Sequence, residues 1–225
     1  MFSSIGPDRR FWSAVRGARM LSRMSSVVKM PDTILLPTDR PSIIVANHSS
    51  LFDLVGALVV LGHFGIPARI GVNARFFENP AGGAFLRGIG CIPFAKGQGD
   101  VAEQQVIDAL KAGQPAALMP EGRITRPDDQ VHGVGPGRPG ISRIARGAGA
   151  AIIPVGFAFA DETWAPGTPM PKARLGKHTV IASIGPPVVL DDDDHIANAQ
   201  IVMHAIGDLV MHGRETDTVR GPNDI

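Results

Sequence analysis

Apolar and polar positions change period repeatedly along the chain, and the changes divide it into short strands and helices. Ser42 to Ala46 is a β-branched apolar run behind Pro41, the pattern of a buried strand, and the polar cluster Asn47 to Ser50 has the residue types that cap helices. From Leu51 to Leu61 apolar residues recur densely enough for a largely buried helix whose first turn holds Asp53. Ala68 to Asn73, Gly90 to Ala95, Gln114 to Met119, Ala151 to Phe157 and His178 to Ile184 read as further strands, with Pro93 predicting an edge or a bulge. Helical patterns cover Pro80 to Gly88 and Asp100 to Lys111, begin again over Ile141 to Arg146, and follow the acidic run Asp191 to Asp194, whose carboxylates suit a helix start. Arg126 to Gly140 carries four glycines and three prolines and predicts an irregular, mobile rim. Strands alternating with helices imply an α/β sheet covered on both faces.

Residues 9 to 29 follow a different pattern. Arg9, Arg10, Arg16, Arg19, Arg23 and Lys29 occur there without an acidic residue, while Phe11, Val15, Ala18 and Leu21 recur at spacings of four, three and three. This is a basic amphipathic helix, so residues 1 to 30 are expected to form a membrane-contact segment ahead of a domain over 31 to 225. An anionic bilayer would attract each cation by about 1 kcal/mol. The alternative is that the apolar face packs on the domain and the arginines stay in water.

Composition narrows the setting. Of the 225 residues 22 are basic and 21 acidic, a formal net charge of +1, which argues against a nucleic-acid partner and makes any cationic patch local. The single cysteine, Cys91, excludes an intramolecular disulfide framework and suits a reducing compartment. The longest apolar stretch, Ile43 to Leu61, is broken by Asn47, His48 and Asp53, and the N-terminal residues lack the order of a signal peptide. The expected location is cytoplasmic, with peripheral attachment to the inner face of the cell membrane.

The chemistry centres on His48 and Asp53. On one continuous helix, residues five apart diverge by about 140°. A strand-to-helix turn removes that obstacle, and Asp53 can then accept from one imidazole N–H and leave the other nitrogen as a base. The competing reading is a histidine cap and a carboxylate placed at a helix start.

Four stretches at strand ends resemble, in order, the blocks of the glycerolipid acyltransferases of the lysophosphatidic acid acyltransferase type, over roughly residues 40 to 190. His48 and Asp53 match His-x-x-x-x-Asp; Gly90, Ile92, Pro93 and Lys96 match the second block; Pro120, Glu121 and Gly122 match Pro-Glu-Gly; Ile152 to Val155 match Ile-Pro-Val. Two positions depart: Lys96 stands where the family more often has arginine, and Arg123, with Ile124 and Thr125 after it, replaces the usual threonine. The resemblance implies a mixed, mostly parallel sheet behind the N-terminal helix and an acyltransferase domain over 31 to 225. It also implies transfer of a fatty acyl chain from acyl-CoA or acyl carrier protein to a lysophospholipid hydroxyl, with no cofactor beyond that co-substrate.

Acyl transfer from a thioester to a hydroxyl needs a base, a donor for the developing oxyanion and cations for phosphate-bearing substrates. His48 with Asp53 supplies the base, Lys96 and Arg123 the cations, and the Gly122 backbone can approach a substrate oxygen closely. Glu121 either holds a substrate hydroxyl, pins the arginine or satisfies loop amides. No Gly-x-Ser-x-Gly elbow occurs, which disfavours a covalent acyl-enzyme, and the seven histidines show no paired metal spacing, so no metal is implied. A hydrolase using the same His and Asp, and a silent lipid-binding protein, are the alternatives.

Overall fold

The computed structural model describes residues 9–165, 168, 178–190 and 193–219. Among these residues seven strands form one sheet in the order β1-β7-β6-β2-β5-β3-β4, where β1 is Ser26–Lys29, β2 Ser42–Ala46, β3 Arg69–Asn73, β4 Ile92–Phe94, β5 Ala116–Leu118, β6 Ala151–Ala158 and β7 His178–Ile184. β2 pairs in parallel with β5 and β6, and β3 in parallel with β5 and β4. β7 runs antiparallel to β6 and carries β1 in parallel at the outer edge, so the sheet is mixed and mostly parallel. The short β4, with Pro93 inside it, is the other edge, where a missing N–H costs no ladder bond.

Helices cover both faces. The α-helices are α1 (Arg9–Ser25), α2 (Asp53–His63), α3 (Pro80–Gly88), α4 (Gly99–Lys111), α5 (Gly140–Ala148), the single turn α6 (Ala160–Thr163) and α7 (His195–Val219). On one face Phe11, Val15, Leu58, Leu61, Leu86 and Ile89 pack with Ile44, Ala117, Val155 and Phe157. On the other, Val106, Leu110, Ile144, Val202, Ile206 and Val210 pack with Ile43, Val45, Ala116 and Ile152. Every residue of β2 is buried, as expected of a central parallel strand without a solvent face.

Three features differ from the sequence pattern. The segment 9 to 29 is a helix only to Ser25; Ser26-Val-Val-Lys leaves it and pairs with β7, a choice made by a partner about 150 residues downstream in the chain. The apolar face of α1 goes to the protein: Phe11, Ala14, Val15 and Ala18 are buried, and a Cβ on Gly62 of α2 would overlap Val15. The outer face is left to solvent, where Arg16, Arg19 and Arg23 are exposed beside Met20 and Met24. The rim from Arg126 to Gly140 is anchored along its length, with a helical turn over Pro127–Asp129 and a tight hairpin joining Val131 to Val134. Among the described residues no helix is long and apolar enough to cross a membrane. Residues 1–8 of the expected N-terminal segment, and Asp191 and Asp192 of the acidic run, lie outside the described residues. Within that run Asp194 accepts the Ile196 N–H at 2.7 Å just before α7, the helix-start role expected of it.

Candidate active site

β2 and β5 are parallel neighbours whose following helices lie on opposite faces of the sheet, α2 on one and α5 on the other. The chain must part there, and the crevice beyond the carboxyl ends of such strands is where open α/β sheets place their sites. His48 leaves the end of β2 and Glu121 the end of β5, so the two reach the crevice from adjacent strands.

The turn from β2 into α2 is built on a single oxygen. Oδ2 of Asp53 accepts the N–H groups of Ser49 and Ser50, each at 2.8 Å, and lies 2.8 Å from Nδ1 of His48. Asp53 thus ties the turn together from its far end, at the first residue of α2, where the helix N-terminus adds favourable potential. Asn47 spends its amide elsewhere, donating to the Phe157 carbonyl at 3.0 Å and accepting the Phe157 N–H at 2.7 Å, which ties the end of β2 to β6. Ser50 accepts the Phe52 N–H at 2.9 Å through its hydroxyl and donates to the Trp164 carbonyl at 2.6 Å.

Asp53 is fully buried and its Oδ1 has no hydrogen-bond partner. Burial pushes its carboxyl above the usual range, opposed by the His48 ring and the two backbone donors. The His48 side chain is 25% exposed, enough to present Nε2 to the crevice while Nδ1 stays on the carboxylate.

Glu121 holds His48 from the other side. Its Oε1 accepts the His48 N–H at 2.7 Å, Oε2 accepts the Thr125 hydroxyl, and the Thr125 N–H donates to the His48 carbonyl at 2.7 Å. Both backbone groups of His48 are therefore bound by the Pro-Glu-Gly segment, and Glu121, 3% exposed, has each oxygen engaged. Of the three roles open to it in the sequence, the geometry displays the satisfaction of loop groups. Burial pushes this carboxyl up as well, against the Thr125 and His48 donors, and the nearby Asp53 charge adds to the rise.

Gly122 adopts φ +65, and its N–H donates to the Met119 carbonyl at 3.0 Å. A Cβ there would stand 2.5 Å from Nε of Arg138, which donates to the Glu121 carbonyl at 3.2 Å. The glycine thus gives room to Arg138, a cation 15 residues beyond Arg123 that no spacing singled out. Arg123 and Lys96 are exposed. Lys96 follows β4, three strands from β2, or about 14 Å across the sheet at the usual strand spacing. The fold thus joins His48, Asp53 and Glu121 into one bonded unit, keeps Arg123 and Arg138 beside it and sets Lys96 apart.

Fold and site together define a protein of the α/β class whose candidate catalytic groups gather at the carboxyl ends of the central strands of a mostly parallel sheet. The family model described as Acyltransferase matches residues 27–158, more than half of the chain, and the chain belongs to that family. Its fold is similar to the crystal structure of the 1-acyl-sn-glycerophosphate (LPA) acyltransferase PlsC from Thermotoga maritima, with a TM-score of 0.64 and 22% identity over 96% of this chain and 85% of that one. No curated protein sequence matches the chain.

Proposed function

We propose that the protein transfers a fatty acyl chain from an acyl thioester, acyl-CoA or acyl carrier protein, to the hydroxyl of a lysophospholipid such as 1-acylglycerol-3-phosphate. Membership of the acyltransferase family supports the reaction class, and the name of the Thermotoga protein supports the acceptor class. The observation that carries the mechanism is the 2.8 Å contact between Nδ1 of His48 and Oδ2 of Asp53, with the ring partly exposed.

Asp53 accepts from Nδ1 and leaves Nε2 to take the hydroxyl proton as the alcohol oxygen attacks the thioester carbonyl. The tetrahedral intermediate collapses by breaking the C–S bond, and the thiolate leaves with the proton returned by imidazolium. The buried carboxylate stabilises that imidazolium between the two steps. Glu121 and Thr125 fix the backbone of His48, so the ring turns only about its own side-chain bonds.

The cations divide by position. Arg123 and Arg138 stand at the strand end beside His48 and suit the acceptor's phosphate, while Lys96 suits a phosphate of the donor farther from the reacting carbonyl. The outer face of α1, with Arg16, Arg19 and Arg23 beside Met20 and Met24, suits the anionic inner face of the cell membrane, from which the acceptor would be drawn.

The test is mass spectrometry of products after incubating the full chain and His48→Ala with labelled acyl thioesters and a panel of lysolipids. Acylated lipid from the wild type and none from the variant is the expected result. Free fatty acid in equal yield with and without acceptor would instead assign a hydrolase.

A further inference from the structure

The loop after the Pro-Glu-Gly segment brings one histidine against α7, where the helix presents a second histidine and a carboxylate. Nε2 of His132 lies 2.7 Å from Oδ1 of Asp208, and Nε2 of His204 lies 3.7 Å from Oδ2 of the same residue. The two imidazoles stack with ring centroids 5.5 Å apart and planes 18° from parallel. One ligand atom from each of the three residues falls within 4.8 Å of the other two. Ligand atoms about 2.0–2.1 Å from a tetrahedral zinc are about 3.4 Å apart, so small side-chain rotations bring all three onto one ion.

Two features hold the third ligand in place. His132 and Gly133 both take positive φ, +56 and +77, between Val131 and Val134, which bond to each other in both directions at 2.8 and 3.2 Å. This is a two-residue hairpin of the primed type, whose first central position normally takes Asn, Asp or Gly. Histidine occupies it here at a cost in backbone strain and lies directly on α7. A Cβ on Gly207 would stand 2.7 Å from Cδ2 of His132, and one on Gly133 would stand 2.8 Å from Val210. The helix thus lacks a side chain where the histidine lands, and its next turn packs on the half-buried glycine beside it.

We propose that His132, His204 and Asp208 form a binding site for a divalent transition metal of the zinc type, with water completing the coordination. His204 and Asp208, four apart on α7, share one helix face, and two neutral imidazoles with one carboxylate are a zinc donor set. Spacing in the chain could not reveal it, because 72 residues separate the two histidines. The connection from β5 to α5 that holds His132 also carries Glu121 and Thr125, the residues bonded to the His48 backbone, so the metal would fasten that connection to α7.

The full chain, stripped of metal with a chelator, is titrated with Co²⁺ and followed by its visible ligand-field absorption, and with Zn²⁺ by calorimetry. His204→Ala removes an exposed ligand, and His132→Asn keeps a residue that tolerates left-handed backbone while removing the imidazole. The expected result is one ion bound per chain with affinity at least tenfold lower in each variant, and unchanged in His48→Ala. Zinc should also raise the unfolding temperature of the wild type and leave that of His204→Ala unmoved. Equal affinity in the wild type and His204→Ala, or no metal-dependent absorption in the wild type, would overturn the site and leave His132 and Asp208 as a hydrogen-bonded pair alone.

Discussion

At the end of β2, the groups around the His48 imidazole are held by buried hydrogen bonds: Asp53 accepts from three donors through Oδ2, Glu121 from two, and the His48 backbone is bound through both its N–H and its carbonyl. At the ends of β4 and β5, Lys96 and Arg123 stand in solvent. On the proposed function, the difference separates two tasks. Proton transfer requires one geometry and is held by buried hydrogen bonds, whose loss is expensive in a low-dielectric setting. Phosphate recognition works through charge at the surface, where one substrate replaces another and side chains must follow. Substitutions in the first region should therefore act on turnover, and those in the second on apparent affinity.

The sharpest break is Asp53→Asn. The amide keeps the shape and an acceptor for the Ser49 and Ser50 donors but loses the charge that orients His48 and stabilises imidazolium, so kcat should fall on the order of 10²- to 10⁴-fold. Removing a buried charge should leave the fold intact in circular dichroism and thermal unfolding. Steady-state assay decides it, and an unchanged rate would reduce Asp53 to the cap of its turn.

On the cationic side the larger effect is expected at α1. Because Phe11 and Val15 belong to the core, deleting the helix would test folding rather than docking, and neutralising the outer face is the cleaner experiment. Arg16→Gln, Arg19→Gln and Arg23→Gln together should weaken binding to anionic vesicles by about 3 kcal/mol, on the order of a hundredfold. Rising salt should weaken the wild type toward the variant as the Debye length shrinks to about 8 Å at physiological ionic strength and below it beyond. Co-sedimentation at equal affinity for both proteins would remove the helix from membrane contact.

Lys96→Gln and Arg123→Gln should each raise KM about tenfold with kcat nearly kept, as for one charge-assisted hydrogen bond made equally in ground and transition states. Lys96→Gln should act on the donor and Arg123→Gln on the acceptor. Varying each substrate in turn separates them, and a shared effect on one substrate would merge the two cations into one site.

The smallest expected effect concerns Glu121. Burial raises its carboxyl above the ordinary 4.5, so between that value and the folded one the native state holds more protons than the unfolded chain. Stability contributed by the protonated carboxyl is present below 4.5 and is lost as pH rises through the folded value. Glu121→Gln has no such titration and keeps an acceptor for the His48 N–H. The unfolding free energy of the wild type, relative to Glu121→Gln, should therefore decline from pH 4.5 upward in denaturant titrations. A flat difference would mean that Glu121 is ionised to the same extent in both states.

Local pattern determined much of this protein. β2, α3 and β7 begin and end at the residues where their patterns change, because each is a short run whose period, proline or flanking turn residues act within a few positions. His48 and Asp53 were legible for the same reason, since the turn that joins them spans six residues. What required the tertiary structure depended on partners distant in the chain. Ser26 to Lys29 is a strand only because β7 offers it a ladder, and the apolar face of α1 is buried only because Gly62 on α2 lets Val15 approach. Asn47 reads as a cap until Phe157, 110 residues on, takes both ends of its amide. The same holds for Arg138 against Gly122 and for His132 against Asp208: hydrogen bonds and close packing require proximity in space, which sequence separation does not encode.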